Sequence, residues 1–305
     1  MNHDHYTLAP IGVSTYTRLT HLKQTIEALS QNTLAKQSKL YIFSDAPMEG
    51  DENAVSTLRS YLETIDGFES VTIVARTKNN RIKNNRGGMR QLLDEYGKLI
   101  WLEDDIVTAP GFLCYMNEAL EFYKDDPQVL SICGYAPPLK VRSQSDAFIL
   151  SRFSAWGFGI TASNFDKIKA IPSNALETLD RARLIQNGRD LEGMVKREAS
   201  GKINALDIRA MYAQYLNSTV TVYPKQSLVQ NIGHDGTGVH CGNSSEFHHK
   251  ELWQQTDGFS FVKNPELDPR IVKANARWRN NMKRKRKLYR KLGLKRLAKF
   301  LNNTI

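Results

Sequence analysis

The stretch Lys98-Leu99-Ile100-Trp101-Leu102-Glu103-Asp104-Asp105 places four apolar residues directly before three acids. A short apolar run of this kind is typical of a strand buried in a sheet. Three adjacent carboxylates in an apolar frame repel one another and resist burial, so they need a compensating cation. Mg²⁺ or Mn²⁺ supplies one, because each binds carboxylate oxygens and leaves positions for diphosphate oxygens and water. The alternative is a solvated acidic turn after a strand.

Strands and helices alternate before this stretch. The apolar patterns predict strands at residues 8–16, 40–45 and 71–74, helices at 19–29, 54–65 and 89–96, and a polar loop from Asn79 to Gly88. Such alternation predicts a mostly parallel α/β sheet flanked by helices. Ligands bind beyond the carboxyl ends of the strands in these sheets. The turn from Thr15 to Arg18, Asp45 and the three acids lie at such ends, so we expect them to converge.

The composition fits one large α/β domain with an appended tail. The chain has 305 residues, of which 41% are hydrophobic, enough for a core. The N-terminus lacks an apolar signal core, so we expect a protein that is not secreted. The three cysteines, Cys114, Cys133 and Cys241, are widely spaced, which favours reduced thiols in the cytoplasm over a disulfide framework.

The positive charge is concentrated at the C-terminus. The net charge is +10, yet the 14 Lys and Arg residues after position 269 leave 28 basic and 32 acidic residues before it, a net of −4. The basic run Lys283–Lys287 is followed by an apolar stripe that includes Leu288, Leu292, Leu294 and Leu297. This pattern predicts a helix that lies on an anionic membrane surface. The alternative is a helix with one face packed on the body. Nucleic acid is not an expected partner, because aromatic rings for base stacking are sparse here.

The acidic stretch resembles the motif of the GT-A class of nucleotide-sugar-dependent glycosyltransferases, in particular inverting enzymes similar to N-acetylglucosaminyltransferase I and bacterial family-2-like sugar transferases. The segments Pro10–Arg18, Phe43–Pro47 and Asn84–Gly87 resemble, in order, the segments that precede that motif. The resemblance covers roughly residues 8 to 245. It implies a GT-A domain over 1–268, divided near residue 110 into a nucleotide-sugar-binding half and an acceptor half, before a basic tail at 269–305.

The resemblance implies roles for the residues at the strand ends. Asp105 would ligate Mn²⁺ or Mg²⁺, Asp104 would meet the ribose, and Glu103 would lie near the base or ribose. Further donor-binding residues would be Thr15, Tyr16, Arg18, Asp45 and Arg86. Thr15, Tyr16 and Arg18 have an alternative interpretation as ordinary turn residues. The expected donor is a nucleotide sugar, with a UDP-sugar favoured.

A second segment, Ser151–Ile160, mixes small residues with aromatic rings. A Trp ring offers a flat apolar face to a sugar, and the family has a similar segment beside the donor sugar and acceptor. Trp156 and Gly157 are therefore expected to contact the sugar or acceptor. The alternative is a core strand with a glycine bulge.

The acceptor hydroxyl needs one carboxylate that takes its proton. Asp207, at the start of an expected helix, is the candidate base, and Asp190 and Glu192 are in reserve. The alternative for Asp207 is an acid stabilised by the helix dipole. The glycine-rich segment Gln230–Gly242 is expected to close over the donor. Either His234 or His240 would contact phosphate or metal there, unless both are surface loop residues.

Together these features predict a glycosyltransferase that acts on a saccharide or lipid-linked acceptor in bacterial surface polysaccharide or glycolipid synthesis. It would be cytoplasmic and peripheral on the inner face of the membrane. The glycine-rich signatures of dehydrogenases and P-loop proteins are absent from the sequence, which disfavours those classes. A sugar-nucleotide-forming nucleotidyltransferase is disfavoured because its glycine-rich phosphate loop is missing after the first strand. The remaining alternative is a membrane-associated nucleotide-sugar-binding or assembly protein with a degenerate transferase domain.

Overall fold

The computed structural model describes residues 6–235 and 251–291. The strands are β1 (Ile11–Thr15), β2 (Lys39–Ser44), β3 (Ser70–Ala75), β4 (Lys98–Glu103), β5 (Ile106–Thr108), β6 (Val129–Cys133), β7 (Ala147–Leu150), β8 (Phe158–Thr161), β9 (Val220–Pro224) and β10 (Val229–Asn231). The helices are α1 (Leu19–Ser30), α2 (Glu52–Leu62), α3 (Arg81–Tyr96), α4 (Phe112–Phe122), α5 (Ala162–Phe165), α6 (Ala175–Thr178), α7 (Arg181–Ile185), α8 (Asp190–Ala199), α9 (Leu206–Asn217) and α10 (Pro269–Lys291), with a short 3-10 helix at Ala35–Gln37. None of these helices has the length and apolar character needed to cross a bilayer.

The central sheet has eight strands in the order β3-β2-β1-β4-β8-β6-β9-β7. The first four are parallel, and only β8 and β7 run against the other strands of this sheet. The predicted fold class, a mostly parallel α/β sheet flanked by helices, is therefore confirmed. The order of strands and helices up to β4 is also as predicted.

The parallel strands β1, β2 and β4 are buried on both faces, as their continuous apolar sequences require, whereas the edge strand β3 is partly exposed. Alternate residues of β4 point to opposite sides: Ile100 and Leu102 join one apolar cluster with α1 and α4, whereas Leu99 and Trp101 join a second cluster with α3 and α9. The sheet is thus the middle layer between two sets of helices. Its strands are held on both faces, which fixes the positions of the polar residues at their ends.

The predicted loop from Asn79 to Gly88 is wrong in most of its length, because α3 begins at Arg81. The side chain of Asn80 accepts a hydrogen bond from the amide of Lys83 at 2.9 Å, which caps the first turn. A Cβ on Gly88 would lie 2.8 Å from the Phe43 ring. The glycine therefore lets the helix pack tightly on β2, and tertiary packing outweighs its poor helix propensity.

The tail begins as a helix that packs on the body. In α10, Asn275 is buried, and Arg279 lies beside Arg152 and Asp190, with its pKa lowered to about 10 by burial and by the charge of Arg152. The alternative interpretation, a helix with one face on the body, applies to this part of α10. The residues after Lys291, including Leu292, Leu294 and Leu297, lie outside the described residues, so the membrane-surface interpretation stays a prediction. So does a domain boundary at 268.

Close packing around Gly12 gives a test of the fold. A Cβ on this β1 residue would lie 2.5 Å from the Trp101 ring, so Gly12→Ala must displace a large core side chain. We expect it to lower the free energy of unfolding by about 1–3 kcal/mol, measured by urea denaturation.

Gly193→Ala is the matched control, because a Cβ at Gly193, inside α8, meets nothing within 4 Å. Alanine there should stabilise the protein by about 0.5–1 kcal/mol through helix propensity. Equal effects of the two substitutions would contradict the packing of β1 against β4.

Candidate active site

Three strands end together at one edge of the sheet. Within the paired strands, Thr15 of β1 is opposite Ser44 of β2, and Ser14 of β1 is opposite Glu103 of β4. The amide of Asp45 donates to the carbonyl of Thr15 at 3.1 Å. The predicted convergence of polar groups at the carboxyl ends of β1, β2 and β4 is therefore present.

Arg18 joins two of the three acids. Its guanidinium donates to Asp104, and to Asp105 Oδ2 at 2.8 Å. Both carboxylates are almost fully buried, with 5% and 4% of the residue surface exposed. Burial raises the pKa of Asp104, and the positive charge of Arg18 opposes that rise. Arg18 thus supplies part of the positive charge that the three adjacent acids require.

The backbone and side chain of Asp104 are both fixed by β1 and α1. Its Oδ2 accepts a hydrogen bond from Thr15 Oγ1 at 3.2 Å, and its carbonyl accepts one from Thr25 Oγ1 at 2.9 Å. Glu103 differs, since burial and the charges of Asp105 and Asp104 raise its pKa to about 8. The Glu103 carboxyl therefore holds its proton to a higher pH than an ordinary glutamate does, while Arg18 favours the ionised form of Asp104.

Asp105 retains a free coordination position among the described residues. Its Oδ1 is buried and makes no hydrogen bond there. A Cβ on Gly233 would lie 2.0 Å from Oδ2, so only glycine lets the chain pass this close. A buried carboxylate oxygen suits Mg²⁺ or Mn²⁺. No cluster of three or more His, Cys, Asp or Glu side chains suited to a metal occurs in the described part of the chain.

The short ribbon of β5 and β10 brings Gly233 to the acids. The two strands pair antiparallel, and the amide of Ile232 donates to the carbonyl of Asp105 at 2.9 Å. The loop after β10 is held at its described end by His21 of α1, whose Nε2 lies 3.0 Å from Asp235 Oδ2. His240 lies outside the described residues, so its predicted contact with metal or phosphate stays a prediction.

The residues assigned to the nucleoside surround the end of β2. Asp45 accepts hydrogen bonds from the amides of Ala46 and Asn80, the latter at 3.0 Å. The Tyr16 hydroxyl donates to Asp51 Oδ2 at 2.6 Å. Tyr16 and Asp45 therefore line the same corner as Thr15. Their contact with a nucleobase stays a prediction, as does any contact of Arg18 beyond the two acids.

Trp156 and His234 come together although they are far apart in sequence. Their ring centroids are 5.4 Å apart, edge to face. Tyr135 also packs against Trp156, edge to face, with a centroid distance of 4.7 Å. Gly157 has a φ of 62°, a conformation that favours glycine. Because Gly233 precedes His234, Trp156 and Gly157 lie on the Asp105 side of the molecule. Their contact with a sugar stays a prediction.

The three candidate bases differ in their partners. Asp190 binds Arg152 through both carboxylate oxygens, at 2.6 and 3.2 Å. Although burial alone would raise the pKa of Asp190, Arg152 lowers it below the ordinary value. Glu192 pairs with Arg181 at 2.9 Å. Asp207, in the first turn of α9, has its pKa raised by burial. Of the three, Asp207 makes no ion pair with an arginine among the described residues, and the direction of its pKa shift favours proton acceptance.

Arg86 does not join the acids at the strand ends. It lines a separate groove between α3 and α9, together with Arg76, Lys83, Arg90 and Arg209. Its role as a donor-binding residue stays a prediction.

The sequence analysis missed two residues that shape this site. Thr25 holds the backbone of Asp104, and Tyr135 packs against Trp156. Thr25 had a signal, because it lies on the apolar face of α1 with Leu22, Ile26 and Leu29. A hydroxyl on a buried helix face needs a partner. Tyr135 had no such signal in the sequence.

The chain matches no family model, and it has no match among curated proteins. It is similar to solved structures of glycosyltransferases. The mannosyltransferase PcManGT from Pyrobaculum calidifontis, in complex with GDP-Man and Mn²⁺, gives a TM-score of 0.41 at 14% identity, over 70% of this chain and 70% of that one.

Two further similar structures are longer than this chain. S. aureus TarS 1-349 gives a TM-score of 0.45 at 12% identity, over 73% of this chain and 59% of that one. GalNAc-T7 with UDP, GalNAc and Mn²⁺ gives a TM-score of 0.45 at 10% identity, over 72% of this chain and 42% of that one. The chain thus spans less than two thirds of both. These are low TM-scores and identities, and the likeness concerns the general fold.

The raised pKa of Asp207 predicts an unusual effect on stability. Its ionised form is disfavoured by folding, so wild-type protein loses stability as the pH rises above the ordinary value of 3.8. The Asp207→Asn variant has no ionisable carboxyl group at this position, so it does not lose stability in this way. Urea unfolding should therefore show the variant gaining stability relative to the wild type as the pH rises above the ordinary Asp value.

Asp190→Asn is the matched control with the opposite sign. The lowered pKa of Asp190 stabilises the wild type above its ordinary value and is lost on acidification. This variant should therefore lose stability relative to wild type as the pH rises. The same sign for both substitutions would contradict the assignment.

Proposed function

We propose that the chain is a glycosyltransferase that transfers a sugar from a nucleotide-sugar donor to a saccharide or lipid-linked acceptor. The observation that carries the proposal is the pair Asp104 and Asp105, buried beyond the end of β4 with Asp105 Oδ1 left without a hydrogen bond among the described residues. Buried carboxylates of this kind suit the cation-mediated binding of a diphosphate. The polar corner of Thr15, Tyr16 and Asp45 beside them has the hydrogen-bonding groups for a nucleoside.

Each group at the strand ends has a distinct task in this proposal. Asp105 would hold Mn²⁺ or Mg²⁺, which supplies positive charge to the donor diphosphate. Asp104 would accept a hydrogen bond from the ribose through a carboxylate that is already oriented, since Thr15 donates to its Oδ2 and Arg18 donates to its Oδ1. Glu103 would lie near the base or ribose. UDP is the favoured nucleotide by resemblance.

Transfer with inversion needs one base and no covalent intermediate. Asp207 would accept the proton of the acceptor hydroxyl as its oxygen bonds to the anomeric carbon and the bond to the diphosphate breaks. Asp190 and Glu192 suit this task less well because each is engaged by an arginine. Trp156 would present an apolar ring face to a sugar.

The setting we propose is the inner face of a bacterial cytoplasmic membrane, in surface polysaccharide or glycolipid synthesis. The 14 basic residues after position 269 would be attracted to anionic lipid. A lipid-linked acceptor would then be presented close to the strand ends.

One observation favours a second candidate, a membrane-associated nucleotide-sugar-binding or assembly protein with a degenerate transferase domain. Arg18 already balances one of the two negative charges of Asp104 and Asp105, which reduces the need for a metal. A protein of this kind would bind nucleoside diphosphates equally well with and without Mn²⁺ and would show no turnover.

The nucleotide and the metal are tested together by thermal shift with UDP, GDP, CMP and dTDP, each with and without Mn²⁺. A nucleotide at about 100 times its Kd stabilises the fold by about 2.7 kcal/mol. We expect one diphosphate to stabilise the wild type only with Mn²⁺, and Asp105→Asn to abolish this shift.

Asp125→Asn is the control, since Asp125 is an exposed carboxylate that follows α4. It should leave the nucleotide shift unchanged. If no nucleotide stabilises the wild type, or if Asp105→Asn keeps the full shift, the proposal of metal-dependent donor binding fails.

The role of Asp207 is tested by comparing binding with turnover. Asp207→Asn should lower kcat by about 10²- to 10⁴-fold while the nucleotide-induced melting shift stays at the wild-type value. Glu192→Gln is the control and should keep most activity. A loss of nucleotide binding in Asp207→Asn, or a comparable kcat loss in Glu192→Gln, would count against this assignment.

The membrane role is tested by replacing the five residues Lys283–Lys287 with Gln, which leaves Asn275 and Arg279 on the body in place. Each basic residue near an anionic surface contributes about 1 kcal/mol. The variant should detach from phosphatidylserine vesicles in a sedimentation assay and keep its nucleotide shift. Unchanged sedimentation would contradict the membrane role of the tail.

A further inference from the structure

A basic groove lies between α3 and α9, separate from the acids at the strand ends. Its volume is about 500 Å³, within the range of small-ligand sites. Five cationic side chains line it, with apolar residues such as Phe165 and Leu206 between them. The five are Arg76, Lys83, Arg86, Arg90 and Arg209.

The acids of the groove balance only part of this charge. Arg90 pairs with Asp94 at 3.0 Å and Asp166 at 2.5 Å, and Arg209 pairs with the buried carboxylate of Glu198. Lys83 and Arg86 have no such carboxylate partner among the described residues. The groove therefore holds an excess of positive charge.

Arg86 is half-buried, and its side chain makes no hydrogen bond or ion pair within the described part of the chain. Burial and the nearby charge of Arg209 lower the pKa of Arg86, and the carboxylate of Glu198 opposes part of this shift. Arg76, whose Nη2 donates to the carbonyl of Lys83 in α3, has a buried Nε that makes no hydrogen bond with described residues. An anion that enters such a site and pairs with these cations is expected to stabilise it.

The geometry favours an oxyanion over a monatomic ion. A guanidinium offers a planar fork of donors that matches phosphate or carboxylate oxygens. A Cβ on Gly87 would lie 3.1 Å from Arg76 Nη2, so the glycine keeps α3 close to Arg76 without a side chain between them. The apolar rings and methyl groups beside the cations suit a ligand with a carbon skeleton.

The groove also adjoins the candidate catalytic residues. Leu206 and Arg209 belong to the same first turns of α9 as Asp207. On the opposite side, Arg81 at the start of α3 is close enough to influence both Arg86 and Glu103. A ligand in the groove would therefore lie within reach of an acceptor bound beside Asp207.

We propose that the groove between α3 and α9 binds a phosphate-type oxyanion carried by the acceptor. The assignment to the acceptor rests on the proposed transferase function, whereas anion binding by the groove does not. The same chemistry has a second source, the diphosphate of the donor, in line with the role that the sequence resemblance implies for Arg86. The experiment separates the two sources.

The first arm is calorimetric titration of inorganic pyrophosphate in the presence of EDTA, which removes metal-dependent binding. Hydrogen bonds to a charged group contribute about 1.5–3 kcal/mol, so Arg86→Gln should weaken pyrophosphate binding about tenfold or more. Arg86→Lys keeps the charge without the fork and should give an intermediate value. Arg142→Gln is the control, because Arg142 is exposed before the edge strand β7, and should bind as wild type does.

The second arm is the melting shift of the same variants with UDP and Mn²⁺. The donor-binding role that the resemblance implies for Arg86 requires a smaller UDP shift in Arg86→Gln, whereas the acceptor assignment requires the wild-type shift, which is the result we expect. Equal pyrophosphate affinity in wild type and Arg86→Gln would overturn the anion site. A UDP shift reduced in Arg86→Gln as strongly as pyrophosphate binding would overturn the assignment to the acceptor. If UDP fails to stabilise even the wild type, the pyrophosphate titration still decides whether the groove binds an anion. Failure of the proposed transferase function is therefore distinguishable from failure of the anion site.

Discussion

The contact of Arg18 with Asp104 and Asp105 is the interaction on which the strand-end site depends. Two neighbouring carboxylates with almost no solvent exposure would be strongly destabilising if both were charged and unpaired. The guanidinium makes their ionisation compatible with burial. It comes from the turn between β1 and α1, so the first helix and the acidic turn hold each other in place. The same arrangement leaves Asp105 Oδ1 without a hydrogen-bond donor among the described residues. The negative charge on that oxygen is therefore the part that still needs a cation.

Backbone approach is the second constraint on this site. The ribbon of β5 and β10 brings Gly233 so close to Asp105 that a Cβ would overlap the carboxylate. The chain then continues to His234, whose ring packs against Trp156. Groups from three distant parts of the sequence therefore meet because one strand pairing places them together. A larger residue at 233 would separate the acids from the aromatic ring.

Charge is distributed unevenly over the molecule. The body before residue 270 has a net charge of −4, yet its α3–α9 groove is basic, and buried acids lie at the strand ends. Opposite fields at neighbouring positions would hold a cation at one and an anion at the other. The buried Arg152 and the half-buried Arg279 add positive charge around Asp190, so the basic character of the tail helix extends into the body.

The sequence by itself determined the α/β class, the order of the elements up to β4 and the position of the acids, because apolar runs and their polar ends are local patterns. It also marked Thr15 and Asp45 as strand-end residues. Tertiary structure alone decided that Arg18 binds the acids, that Thr25 supports Asp104, and that Arg86 faces a groove with Arg209. It also decided that Gly88 lies inside α3, where close contact with Phe43 outweighs its poor helix propensity. Each of these depends on contacts between residues far apart in sequence, which no local pattern records. The Asn80 cap on Lys83 is different, because it is a local signal that the sequence analysis missed.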